Sequence, residues 1–234
     1  MKKLIYACFL IVLFLAGCND KTEAPPATGK DSITIEGEEE LTDQVVIKKS
    51  IEKYGDVHSY VLNTNIDILE GDDSFSVKTI TTIDGNKNAK FEADVDGDVS
   101  TYYEVDDKAY TVENGELKET DTMNIVSNAT YGDIIKITDD LNGGKISQED
   151  DKYKLTYDLA NEKNREAYFG SNLAQEIGAF DALEGNLILT YSKEYLLIDA
   201  KVEGTVKSED KTIEFVATSK FQNVDSVDKI KLPE

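Results

Sequence analysis

Between Ala27 and Leu232 the chain contains no proline, and through much of that stretch apolar residues recur at every second position. Every residue there keeps a backbone N–H for a hydrogen-bonded ladder, and a period of two gathers the apolar side chains on one face of a strand. Tyr60, Leu62, Thr64, Ile66 and Ile68 alternate in this way, as do Phe75, Val77, Thr79, Thr81 and Ile83 beyond a turn at Gly71-Asp72-Asp73. Ala89, Phe91, Ala93 and Val95 follow, then Thr101, Tyr103 and Val105, then Tyr110 and Val112 with a turn at Asn114-Gly115 before Leu117. This is a meander of half-buried strands.

The alternation returns in Tyr153, Leu155, Tyr157 and Leu159. Later come Leu187, Leu189 and Tyr191, then Leu196, Ile198, Ala200 and Val202, then Ile213, Phe215, Ala217 and Ser219. Turns at Ser192-Lys193-Glu194 and Ser208-Glu209-Asp210 make the last three groups long antiparallel strands. Three segments instead carry a helical period. In residues 43–54 it joins Val46, Ile47, Ser50, Ile51 and Tyr54; a second segment has Ile134, Ile135, Ile137 and Leu141 before Gly143-Gly144. A third starts from an Asn161 cap and runs through Ala167, Tyr168, Leu173 and Ile177. The order helix, meander, helices, meander predicts an α+β fold whose antiparallel sheet is covered on one face by segregated helices.

The amino terminus obeys different rules. Lys2 and Lys3 precede an apolar stretch, Leu4 to Ala16, which has the length of a signal-peptide core and falls short of the roughly 20 residues needed to span a bilayer. Leu15-Ala16-Gly17-Cys18 then resembles the lipobox of bacterial lipoproteins. That resemblance implies cleavage between Gly17 and Cys18 and a diacylglyceryl group on the Cys18 thiol. Two acyl chains anchor a protein stably without a membrane span, so residues 1–17 are expected to be a signal peptide and the mature chain to be held at the extracytoplasmic face of the cell membrane. Residues 18–42 contain Pro25, Pro26, small polar residues and the acidic run Glu36 to Glu40. They lack the apolar content to pack and predict a disordered tether leading to a single domain over residues 43–234.

The formal charge is −22, which opposes binding to nucleic acid, whose partners present basic patches, and to anionic lipid surfaces. The sequence has two cysteines. Cys8 leaves with the signal and Cys18 is acylated, so no disulfide, thiol nucleophile or zinc-thiolate site remains. A cysteine-free exported domain is compatible with a Gram-positive surface.

The acylated cysteine, the tether, the helix leading into SYVLNTNIDI, the strands around DVSTYYEVDDKAYTVENGELKE and the closing GNLILTYSKEYLLIDAKVEGTVKSEDKTIEFVATSKFQNVDSVDKIKLPE together resemble the LolA/LppX-like lipoprotein superfamily. The tail Ile230-Lys231-Leu232-Pro233 is part of that likeness, which covers roughly residues 43–234. It implies a strongly curved antiparallel sheet, an open half-barrel with helices over its concave face and a cavity for lipids or lipidated proteins. On this chain the expected cavity lining is Tyr60, Leu62 and Ile66 on the first long strand and Phe75 and Val77 on the next. Further along it is Phe91 and Tyr103, then Leu155 and Tyr157, Leu189 and Tyr191, and finally Ile198 and Phe215. The tyrosines suit either a cavity with polar tips or the ordinary preference of aromatic residues for strands.

Catalysis is not expected. His58 is the sole histidine and no Gly-x-Ser-x-Gly elbow is present. The absence of tryptophan removes the usual sugar platform of a glycosidase. No metal site or cofactor is expected; Asp94, Asp96 and Asp98 in ADVDGDV are the weaker candidates for a cation, but their glycine falls fourth rather than sixth as in an EF-hand loop. The sequence therefore predicts a monomeric, non-enzymatic surface lipoprotein holding a lipid or other hydrophobic ligand. The alternative is a fully packed envelope protein that meets a partner through its acidic surface.

Overall fold

The computed structural model describes residues 32–33, 41–113, 115–121, 130–170, 182–208 and 211–233. Two short strands, β1 (Ser32–Ile33) and β2 (Leu41–Thr42), pair antiparallel just ahead of helix α1 (Asp43–Tyr54). Leu41 is buried and Thr42 Oγ1 accepts from Val45 N–H as the N-cap. The ordered fold thus takes in the last residues of the segment read as tether.

The first meander is β3 (Tyr60–Glu70), β4 (Asp73–Ile83), β5 (Ala89–Val95), β6 (Asp98–Val105), β7 (Lys108–Glu113) and β8 (Glu116–Thr120). Helix α2 (Tyr131–Ile137) and a 3-10 turn (Thr138–Asp140) follow. The second meander is β9 (Lys145–Glu149), β10 (Lys152–Asp158), β11 (Ala182–Ser192), β12 (Leu197–Ser208) and β13 (Lys211–Gln222), with helix α3 (Glu162–Phe169) between β10 and β11. Leu173 and Ile177, read as the continuation of α3, lie outside the described residues. Where they begin, Gly170 ends the helix at φ +76°, a left-handed conformation that favours glycine.

All these long strands join one antiparallel sheet in the order β8-β7-β6-β5-β4-β3-β13-β12-β11-β10-β9. Each meander is built from neighbours in sequence, and the two meet where β13 pairs with β3, from Ile213 opposite Glu70 to Gln222 opposite Val61. The edges β8 and β9 do not pair, so the sheet is an open half-barrel rather than a closed one. Its α+β class and antiparallel topology are those expected from the alternation. Strands β11 and β12 approach closely where Gly185 pairs with Gly204: a side chain on Gly185 would lie 2.4 Å from the Glu203 carbonyl oxygen, an approach only glycine permits.

The concave face carries the main core, including Leu155, Leu187, Leu189, Ile66 and Val77 beneath Val46, Ile47 and Ile135 of the helices. The convex face is not uniformly polar. Over β6 and β7 the carboxyl-terminal tail lies back on the sheet, and Ile230 packs with Tyr103 and Val105 while Tyr110, Val112, Leu117 and Leu232 flank them. Asp84, fully buried after β4, holds this tail: its carboxylate accepts from Ile230 N–H at 2.9 Å, from Asn86 N–H and Asn88 N–H, and from the Asn88 side-chain amide.

Candidate functional site

The register of the sheet lays out the concave face row by row. Tyr191 and Leu197 lie at the α1 end, as do Phe221, Leu62, Thr81, Phe91 and Tyr102 in their pairings across the sheet. The next row reads Leu155, Leu189, Ala200, Ser219, Thr64, Thr79, Ala93 and Ser100. From Ala200 to Ser100 it holds only small side chains, and the Thr64 and Ser219 hydroxyls satisfy each other at 2.9 Å. Beyond it come Val202, Ala217, Ile66, Val77 and Val95, and then Phe215, Ile68 and Phe75. The floor is therefore a shallow trough of small residues between two bulky apolar borders.

The helices close the α1 end of this floor. Tyr131 of α2 donates from its hydroxyl to the Leu197 carbonyl at 2.9 Å, and its ring meets Phe221 edge-on with centroids 5.3 Å apart. Tyr157 donates to Asp43 Oδ2 at 3.3 Å, and the same oxygen accepts from Gly144 N–H at 2.9 Å. Tyr191 reaches Thr138 Oγ1. Burial pushes the phenols of Tyr60, Tyr131, Tyr157 and Tyr191 far above their usual range, so at neutral pH they remain protonated donors. Tyr157 and Tyr191 direct their hydroxyls from the sheet to the covering layer, Tyr131 directs its own from that layer to the sheet, and together they fasten the two. On the inner side of α1, the Ser50 hydroxyl is buried without a hydrogen-bond partner.

Toward the β3–β4 and β5–β6 turns the same face is less covered. Ile68, Phe75, Val95 and Phe215 are half-buried, and Ser100 and Asp98 are exposed. Of the residues expected to line a cavity, Tyr60, Leu62, Ile66, Val77, Phe91, Leu155, Tyr157, Leu189 and Tyr191 are buried in the concave-face core, with Phe75 and Phe215 packed at its margin. Two are placed elsewhere. Tyr103 is on the convex face beneath the tail, because the two-residue turn Asp96-Gly97 pairs Val95 with Asp98 and hence Phe91 with Tyr102. Tyr102 takes the concave position that alternation assigned to Tyr103.

The second correction is Ile198. A register shift between β11 and β12 sets Tyr191 opposite Leu197 and Thr190 opposite Asp199, so a bulge leaves Ile198 half-buried and outside the concave core while Leu197 enters it. The cation candidates Asp94, Asp96 and Asp98 lie at and beside one turn. Asp96 sits in the turn at φ +51°, Asp94 caps the turn by accepting from Gly97 N–H, and Asp98 pairs opposite Val95. Among the described residues no group of three potential metal ligands converges, and no helix is long and apolar enough to cross a membrane. His58 is exposed. Gly17 and Cys18 lie outside the described residues.

No family model matches the chain, and no curated protein matches it. Among solved structures it is similar to LprF from Mycobacterium bovis at 12% identity and a TM-score of 0.44, over 81% of this chain and 96% of that one. It is also similar to a LolA superfamily protein from Nitrosomonas europaea, at 11% identity and TM-score 0.28 over 81% and 96% of the two chains. A third is a DUF1329 family protein from Desulfovibrio piger, at 10% identity and TM-score 0.26 over 80% and 94%.

Proposed function

We propose that this chain is an envelope lipoprotein, anchored through acylated Cys18, whose half-barrel binds a lipid or another hydrophobic ligand without catalysing a reaction. The observation that supports it is the apolar concave face, on which the row of small side chains from Ala200 through Ser219, Thr64 and Thr79 to Ala93 lies beside the half-buried Ile68, Phe75, Val95 and Phe215 at one end. Apolar concavities with few, fixed polar groups are the usual form of a small-molecule site. The α1 end is occupied by the protein's own tyrosines and aliphatic side chains, so the ligand belongs on the β3–β6 side.

Native mass spectrometry of the full chain carrying Cys18→Ser, which removes its own acyl groups, is expected to show a co-purified lipid or uptake of an added fatty alcohol. Thr79→Phe fills the half-buried middle of the trough and is expected to weaken uptake by about tenfold or more through steric exclusion. A ligand-free chain that also fails to take up an alcohol favours the packed, partner-binding reading instead. Anchoring is checked separately: radiolabelled palmitate is expected on the wild type and absent from Cys18→Ala.

A further inference from the structure

The two edges of the sheet are not equivalent. β1 lies against β9 at one edge, whereas β8 at the other has no strand beside it among the described residues. In β8 Glu116, Lys118, Glu119 and Thr120 are exposed and Leu117 is half-buried. Glu113 pairs with Glu116 across a two-residue turn, and Thr111 pairs with Lys118. Glu116, Lys118 and Thr120 therefore turn their backbone groups toward β7, and Leu117 and Glu119 turn theirs outward as an open ladder edge.

Charged side chains on an edge strand usually oppose pairing, and in β8 they oppose every self-pairing but one. In an antiparallel edge pair, outward backbone groups meet outward groups and residues directly opposite share a face. Alignments of two β8 strands centred on Glu116, Lys118 or Glu119 set like charges directly opposite each other. The alignment centred on Leu117 sets Leu117 opposite Leu117 and, twice over, Glu116 opposite Lys118 of the second copy. Leu117 also belongs to the convex-face patch in which Tyr110, Val112 and Leu232 are only half-buried, so the same alignment brings two such patches together at the seam.

We propose that β8 is a self-association edge, at which a second copy of this chain adds its own β8 antiparallel about a two-fold axis at Leu117 and continues the sheet from one half-barrel into the next. Lys118, which already holds Glu113 at 2.6 Å, then lies between that carboxylate and Glu116 of the second copy. A seam of one short strand buries far less than a standard interface, so the association is weak in dilute solution and is best read by trapping it. It does not depend on what the concave face binds.

Single cysteines are placed in the full chain carrying Cys8→Ser and Cys18→Ser, and interchain disulfides are followed on non-reducing gels during mild oxidation. At the two-fold axis the Leu117 Cα atoms lie about 5.5 Å apart, within disulfide reach. The two Glu119 Cα atoms are four residues out of register, about 13 Å along the strands, and cannot be bridged. Leu117→Cys is expected to cross-link about tenfold faster than Glu119→Cys, and about tenfold faster than Val99→Cys, a control on an exposed residue of the same face. Adding Glu116→Lys to Leu117→Cys sets lysine against Lys118 on both sides of the axis and is expected to slow cross-linking about tenfold. Adding Lys118→Glu as well restores opposite charges and is expected to restore the rate, which separates charge pairing from damage to the hairpin. A Leu117→Cys rate no higher than that of Val99→Cys, equal rates at positions 117 and 119, or a charge swap that stays slow overturns the proposal.

Discussion

Asp84→Ala is expected to cost about 3 kcal/mol or more in urea unfolding and to release the carboxyl-terminal tail. The Asp84 carboxylate is fully buried and accepts four hydrogen bonds, one of them from Ile230 N–H across 146 positions of sequence. Truncation leaves those donors buried and unpaired, which is the expensive outcome. It also frees Ile230 from Tyr103 and Val105 and uncovers an apolar patch on the convex face. Hydrogen exchange at the Ile230 amide is expected to lose its protection in the variant, and binding at the concave face is expected to survive.

The same residue sets a pH dependence. Burial alone would raise the Asp84 carboxyl, but the Asn88 side-chain amide and the Ile230, Asn88 and Asn86 N–H groups outweigh it and hold the carboxyl below the usual carboxylate range. A group whose folded pKa is depressed contributes its full stability above the unfolded value, about 4, and loses it as pH falls through the folded value. Urea midpoints are therefore expected to fall on acidification below about pH 4, and the part of that fall due to this group is expected to be missing in Asp84→Asn. An unchanged acid limb in that variant would show that Asp84 does not carry it.

The second large effect is expected at Gly132. This residue is the second of α2 and donates its N–H to the Val57 carbonyl at 2.8 Å, and a side chain here would lie 2.1 Å from the Gly55 carbonyl oxygen and 2.7 Å from the Gly55 carbonyl carbon. That neighbour is backbone at the end of α1, so it cannot rotate away. Gly132→Ala is expected to push the two helices apart and to destabilise by about 3 kcal/mol. The displacement also pulls Tyr131 from Leu197 and Phe221, so near-ultraviolet circular dichroism from the tyrosine cluster is expected to weaken. Gly85→Ala is the matched control: nothing lies within 4 Å of the added atom and its φ is not in the left-handed range, so its stability is expected to stay within about 0.5 kcal/mol. Similar losses in the two variants would remove close helix approach as the cause.

Much of the architecture was legible because of local periodicity. Helix α1 spans residues 43–54 as read, and the long strands follow the alternation, since one buried face and one wet face leave a record in the order of residues. β9 left little record, because in Lys145–Glu149 only Ile146 is buried.

The two misplaced cavity residues mark where that record stops. In TYYEV both tyrosines are apolar enough for a core, and both are buried, Tyr102 on the concave face and Tyr103 under a tail more than a hundred positions away. Alternation cannot choose between two buried faces; the turn at Asp96-Gly97 and the return of the chain end make the choice. In Leu196-Leu197-Ile198 three consecutive apolar residues carry no period at all, and the bulge against β11 selects Leu197. The sequence by itself therefore determined element type, strand order within each meander and the acidic character of the chain, all of which depend on neighbours in sequence. Pairing of β3 with β13 and the fastening of the helices by tyrosine hydroxyls depend on contacts between segments distant in sequence, and only the tertiary structure decided them.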